Sequence, residues 1–347
     1  MHGRAIAYAL LSAALFGAST PLAKLLVGAV APLALAGVLY LASGVGLGLW
    51  LLARRLRGIE NAMLPARDWP WLAGAVAAGG IVGPALLMYG LRRTDAASAS
   101  LLLNLEAVFT AVLAWVAFRE NLDKRIFVGM TAIVAGGVLL SWEQAPRAAG
   151  MAGPLLIAGA CLAWALDNNL TRRVSGGDAV TIAAIKGLVA GAVNLGLALA
   201  MGAYLPAPGA LVLASIVGLF GYGISLVLFI VALRELGTAR TGAYFSVAPF
   251  YGAALALLLL GERAGPAFWG AAGLMALGVW LHVTEWHEHE HIHPPLAHEH
   301  EHVHDEHHQH THDPALHDGQ PHSHAHQHGP LRHRHPHYPD LHHRHRH

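Results

Sequence analysis

The sequence predicts an all-α membrane protein with ten transmembrane helices, built as two inverted five-helix repeats and followed by a disordered tail. Three observations carry this reading. Only 12% of the 347 residues are charged while 55% are hydrophobic, against roughly 25% charged in ordinary soluble domains. Apolar runs of a length that crosses a ~30 Å hydrocarbon layer follow one another down to residue 284. Beyond that point the composition breaks: 25 of the 26 histidines lie at or after His282.

The predicted helices span 5–27, 32–53, 70–91, 96–118, 126–142, 152–174, 179–202, 209–233, 239–260 and 265–284. The first begins like a secretory signal, with a basic start and small residues. Its apolar run continues past Pro21 to Val27 without a clean cleavage site, so it is read as a crossing. The connections are short and carry Pro, Gly or charge, as in "RRLRGIENAMLPARD" (54–68), "RENLDKR" (119–125), "EQAPRAAG" (143–150) and "YLPAPG" (204–209). A single cysteine, Cys161, excludes an intramolecular disulfide and a cysteine metal cluster.

Loop charge sets the orientation. With the N-terminus inside, the inner ends hold Arg4, Arg54, Arg55, Arg57, Arg67, Arg119, Lys124, Arg125, Arg172, Arg173, Arg234 and Arg240. The outer ends hold Arg92, Arg93, Arg147 and Arg263, with Lys24 nearby. The bias predicts an inner (plasma) membrane protein with both termini cytoplasmic.

The two halves repeat. "LRRTDAASASLLLNLEAVFTAVLAWVAFREN" from Leu91 aligns with "LRELGTARTGAYFSVAPFYGAALALLLLGER" from Leu233 at an offset of 142. After one residue of slippage "FVGMTAIVAGGVLL" matches "FWGAAGLMALGVWL". Five crossings per repeat, an odd number, invert the second copy relative to the first, the architecture of alternating-access carriers. The predicted domains are 5–142, 151–284 and a tail at 285–347.

With "FGASTPLAKLL" in helix 1, "APLALAGVLYLASG" in helix 2, "LEAVFTAVLAWVAFREN" in helix 4 and "VAPFYGAALALLLLGE" in helix 9, the chain resembles the EamA-type branch of the drug/metabolite transporter superfamily over roughly residues 5–283. The resemblance implies a secondary carrier and says nothing of its substrate. Pro249 and Glu262 fit the family pattern; Ala107 stands where the family has Pro, so the resemblance carries no helix break to that point.

Ionisable groups inside a bilayer cost about 2.5–3.5 kcal/mol on insertion scales, and they face a cavity or a partner. Four stand out: Lys24, Glu106, Asp167 and Lys186. Glu106, preceded by Asn104, falls near the middle of helix 4. A carboxylate there needs a proton, a cation or a neighbouring hydrogen-bond donor to neutralise it, which suits proton coupling, cation binding or plain structural bonding. Asp167 and Lys186 lie at similar depth on helices 6 and 7, a hairpin, and are predicted to meet. The pair either locks the hairpin or lines a substrate path, with Asn168 and Asn169 beside it. Lys24 sits close enough to the outer end of helix 1 to snorkel; the family resemblance adds a functional reading. Tyr8, Tyr89, Tyr222, Tyr244, Phe245 and Trp164 are candidates for a pocket wall. Gly44/Gly48, Gly79/Gly83 and Gly187/Gly191 have the spacing of close helix contacts.

No zinc-protease motif, phosphate loop or nucleophile elbow occurs in the apolar part, which argues against an enzyme and an ATP-driven pump. No cofactor is expected to be required for transport, and nucleic acid is not an expected partner. The expected partners are the bilayer, a small-molecule or metal-ion substrate and a second copy of the chain.

The tail alternates histidine with acids and small residues. The clusters His287, His289, His291 and His293, then His298, His300, His302 and His304, then His322, His324, His326 and His328 offer imidazole and carboxylate ligands suited to Ni, Co or Zn. Low apolar content predicts disorder. Two transporter readings follow: an exporter of a small metabolite with a metal-binding cytoplasmic tail, or a transition-metal transporter whose tail collects or buffers the ion. A metal sensor or scaffold on a carrier fold is the third reading.

Overall fold

The structure, a computed structural model, describes residues 2–59, 64–118, 124–144, 151–236 and 238–284, and the backbone of four short tail segments. Arg119, Glu120 and the 145–150 connection lie outside the described residues.

Helices follow the apolar runs closely. α1 is His2–Val27 and α2 is Pro32–Leu56, with Pro32 at the first turn, where its missing N–H costs no hydrogen bond. α3 runs continuously through Trp69–Ala75, Val76–Val82 and Gly83–Leu91. α4 is broken, Ala96–Leu102 then Leu105–Phe118. α5 is Lys124–Gln144, α6 Ala152–Val174 and α7 Ala179–Ala200. α8 runs through Pro208–Val217, Gly218–Ile224 and Ser225–Leu236. α9 is broken like α4, Thr238–Phe245 then Ala248–Leu259, and α10 is Pro266–Val283. Seven of these stretches are long and apolar enough to cross a membrane by length and composition. Of the others, α6 carries Asp167, Arg172 and Arg173, and the apolar parts of α9 and α10 are shorter.

The repeat is visible in the backbone. The middle of α3, Val76–Val82, and the middle of α8, Gly218–Ile224, are both π-helical, each seven residues and 142 apart. The breaks in α4 and α9 also match, so α4 breaks although Ala107 is not proline. Mates pack on mates. A Cβ on Gly44 of α2 would lie 2.2 Å from the Leu188 nitrogen of α7, and one on Gly187 would lie 2.5 Å from the Gly44 nitrogen. A Cβ on Gly278 of α10 would lie 2.6 Å from the Gly129 oxygen of α5. Backbones this close need glycine, and small-residue contacts are how helices associate where lipid is as apolar as leucine. Gly48 has no such contact.

Large apolar side chains also cover the outside of the helical unit, among them Leu49, Trp50, Trp142, Leu258, Trp269 and Trp280, each more than half exposed. That surface suits hydrocarbon and not water; the chain is a multi-pass membrane protein.

In the tail only four short segments are described, by their backbone. Its backbone forms two antiparallel pairs: β1 (Glu288–His293) with β4 (Leu331–Pro336), and β2 (Leu296–His302) with β3 (His322–His328). The physical reason is the period of two in the histidine pattern, which is the period of a strand. His287 and His304 lie outside the described residues.

Candidate functional site

One cavity brings the buried charges together. It is lined by Glu106 of α4, Trp164, Asp167 and Asn168 of α6, Lys186 of α7, Tyr222 and Ser225 of α8, and the rings of Phe16, Tyr40, Phe229 and Phe245.

Asp167 and Lys186 meet, as their matched depth on one hairpin predicts. The Lys186 ammonium donates to Asp167 Oδ1 at 2.5 Å and to Thr171 Oγ1 at 3.1 Å, while Thr171 donates to the same carboxylate oxygen at 2.7 Å. Lys186 is 2% exposed and Asp167 8%. Gly79, within the π turn of α3, leaves room for this pair, since a Cβ there would collide with the Asp167 carboxylate. A π turn diverts carbonyls from the helical ladder, and here side chains take them. Tyr40 Oη and Trp164 Nε1 both donate to Gly79 O at 2.9 Å, and Asn194 Nδ2 donates to Gly80 O at 3.0 Å.

Glu106 is differently placed. Its Oε1 accepts from Asn168 Nδ2 at 2.7 Å, and no cation among the described residues pairs with it. Asn168 therefore sits between the lone carboxylate and, one residue earlier, the paired one. The aromatic wall is continuous. Phe16 lies edge-on to Trp164 (5.6 Å between centroids) and to Tyr222 (5.9 Å), Tyr40 contacts Tyr222 (5.2 Å), and Phe245 bridges Phe16 (5.4 Å) to Phe229 (4.8 Å).

Three residues expected near the site lie elsewhere. Asn104 falls at the break in α4, where its amide donates to Leu101 O at 3.0 Å and approaches Met275 of α10. Asn169 bonds back to Ala165 O within its own helix. Lys24 does not snorkel outward. It donates to Leu91 O (2.5 Å) and Thr94 O (2.6 Å), filling the open carbonyls at the end of α3. Beside it Glu262, the last residue of the helix 9 motif, accepts from Ala96 N and Ala97 N, both at 2.8 Å, and caps α4 across the repeats. Trp164, Tyr222 and Phe245 line the cavity as the sequence suggests, whereas Tyr8, Tyr89 and Tyr244 do not. Tyr8 and Tyr244 pack around Ala5, Ala9 and Ala232 instead. The sequence reading missed Phe16, Tyr40 and Phe229; glycines inside predicted helices, such as Gly79–Gly80 and Gly221 with Gly223, were the available signal for the irregular turns around them.

The opposite end of α7 from the lipid middle is pinned by Asp178. Its carboxylate caps the helix through Thr181 N (2.9 Å) and Thr181 Oγ1 (2.8 Å) and pairs with Arg54 at 3.1 Å. Burial pushes this carboxyl up, but the bonds from Thr181 and Arg54 outweigh it and hold the group below the usual carboxylate range.

Helices broken and unwound around a shared polar cavity, in two matched halves under an apolar coat, define the class: a membrane transporter of small molecules. The chain belongs to the EamA-like transporter family, whose model matches residues 3–142 and again 151–284. An uncharacterized transporter of Methanothermobacter thermautotrophicus is 29% identical over 262 residues, which cover 71% of this chain and 76% of that protein. A solved crystal structure superposes with a TM-score of 0.62 at 19% identity, covering 82% of this chain and 98% of that one, a likeness of fold.

Proposed function

We propose that the chain is a secondary carrier that exports a small metabolite through the cavity between its repeats, with Glu106, Asn168 and the Asp167–Lys186 pair as its polar contacts. The observation that carries this is Glu106: a carboxylate lining a cavity within the apolar span, with a neutral partner in Asn168 and no counter-charge among the described residues. Such a group is expensive in a membrane unless ligand or proton binding uses it. Asn104 and Lys24, by contrast, act in the helix ends around the site. Loop charge and the odd number of crossings per repeat support ten crossings, an inner-membrane location and cytoplasmic termini. A reporter fused after Glu285 that sits outside the cell would overturn that orientation. The export reading is tested by comparing metabolites released by cells lacking the gene with cells carrying the wild type or Glu106→Ala. Accumulation of a compound in the medium only with the wild type is expected; equal release by the Glu106→Ala strain would remove Glu106 from the site.

The backbone register of the tail favours a second activity for that segment. It sets His298 opposite His326, His300 opposite His324 and His302 opposite His322 in one pair, and His289 opposite His335 and His291 opposite His333 in the other. Histidines repeating at every second residue, interleaved with acids, are a ligand set whose chemistry suits Ni, Co or Zn. The tail then buffers metal beside a metabolite carrier. A metal cargo for the cavity is the weaker reading, because the cavity offers carboxylates and amides while Cys161 is buried against the Leu102 and Leu103 carbonyls. Removing residues 287–347 should abolish metal binding by the purified protein and leave the release phenotype in place. Neutral imidazoles bind metal, so binding should fail as pH drops through about 6.5.

A further inference from the structure

We propose that the cavity selects a monovalent organic cation with a flat apolar body, and that Glu106 is the counter-charge that reads it. The inference rests on the reading of this cavity as the transport site and adds the class of molecule.

Charge is the first argument. The cavity is lined by two carboxylates, Glu106 and Asp167, and one ammonium, Lys186. Lys186 is spent on Asp167 and Thr171, so it has little to offer an anion. An anionic ligand would meet the unpaired Glu106 carboxylate instead, in surroundings where charges are poorly screened. A ligand cation would complete a second ion pair in the same cavity and leave the lining neutral overall.

The wall is the second argument. Six aromatic rings, from Phe16, Tyr40, Trp164, Tyr222, Phe229 and Phe245, line the same cavity as Glu106. Rings attract a cation over their faces, most strongly when it is desolvated, and they stack on a flat ligand body. Trp164, whose N–H is committed to Gly79 O, is held rigidly for this.

The test uses the full-length protein in detergent and three probes that share one skeleton: phenethylammonium, phenethyl alcohol and phenylacetate. Titration calorimetry should find the cation bound at least about tenfold more tightly than the alcohol or the acid. Glu106→Gln keeps an oxygen for Asn168 and removes only the charge, so it should fold and bring the cation and the alcohol to within about threefold of each other. Leu226→Trp, which fills the cavity wall, should abolish binding of all three. Unfolding temperatures of both variants report whether they fold. A preference for the alcohol or the acid, a cation preference that survives Glu106→Gln, or no binding of any probe would overturn the proposal. If the preference is absent while Leu226→Trp still blocks whichever probe binds, the assignment of class fails and the cavity reading stands. Binding unchanged by Leu226→Trp sinks both.

Discussion

The π turn of α3 and the π turn of α8 sit at matched positions, yet they face different chemistry. Gly79 in the first meets Asp167; Gly221, its counterpart in the second, meets Ser19. Lys186 precedes Gly187 as Ser43 precedes Gly44, and those two glycines touch across α2 and α7. One repeat therefore places Ser19 and Ser43, both 1% exposed, where the other places an aspartate and a lysine. The backbone of the repeat is kept and the charges are not. The shared features, two π turns and two broken helices, build a cavity between the halves. The unshared ones, Asp167, Lys186 and Glu106, whose counterpart at the offset of 142 is Ala248, give the cavity its polarity on one side. In a two-fold repeat the departures from symmetry are where specific chemistry can be sought.

The comparison is broken most severely at the ion pair. Asp167→Asn leaves a buried ammonium without its anion, and removing one partner of such a pair costs about 3–5 kcal/mol. The variant should lose folded yield or unfold well below the wild type in detergent. Replacing both partners removes the uncompensated charge, so Asp167→Ser with Lys186→Ser, which copies the serines of the other repeat, should recover part of that loss. A double variant no more stable than the worse single one would mean that the two groups do not depend on each other.

Matched glycines give a smaller and sharper contrast. Gly79→Ala drives its methyl into the Asp167 carboxylate, whereas Gly221→Ala places it 2.6 Å from the Ser19 Cβ. Both overpack, at about 1–3 kcal/mol. Gly79→Ala should cost more, because displacing Asp167 also loosens Lys186. Equal unfolding temperatures for the two alanine variants would show that the ion pair adds nothing to the demand for glycine at this turn.

The sequence disclosed the helices almost to the residue, since an apolar run bounded by Pro, Gly and charge ends where the backbone must meet water. It disclosed Asp167 and Lys186 because charges in a span are conspicuous and a hairpin fixes their relative depth. It hid the π turns, because diverting a carbonyl changes neither hydropathy nor length. With them it hid Tyr40, whose role is set by the Gly79 carbonyl that the turn releases. Phe16 and Phe229 carry no period to set them apart from other aromatics in a bundle. Lys24 misled for a related reason: depth alone allows snorkelling, and only the neighbouring end of α3 reveals carbonyls within reach.

The smallest effect is expected where α7 begins, at a point where the repeats differ again. α2 starts at Pro32 with no side-chain cap, while its mate α7 is capped by Asp178 and tied to Arg54 at the end of α2. Asp178→Ala removes both functions and should cost about 1 kcal/mol, the usual worth of an N-cap. Asp178→Asn keeps a good cap and removes the charge, so it should cost less, on the order of 0.5 kcal/mol, the scale of a partly exposed ion pair. The sign of the pH effect follows from the depressed carboxyl. A group held lower in the folded state stabilises fully above its unfolded value, about 3.9, and loses that contribution as pH falls through the folded value. The gap between wild type and Asp178→Asn in detergent should therefore be constant from pH 8 to about pH 5 and close below about pH 4. A gap that widens on acidification would mean that the carboxyl is raised on folding and that burial, not Thr181 and Arg54, governs it.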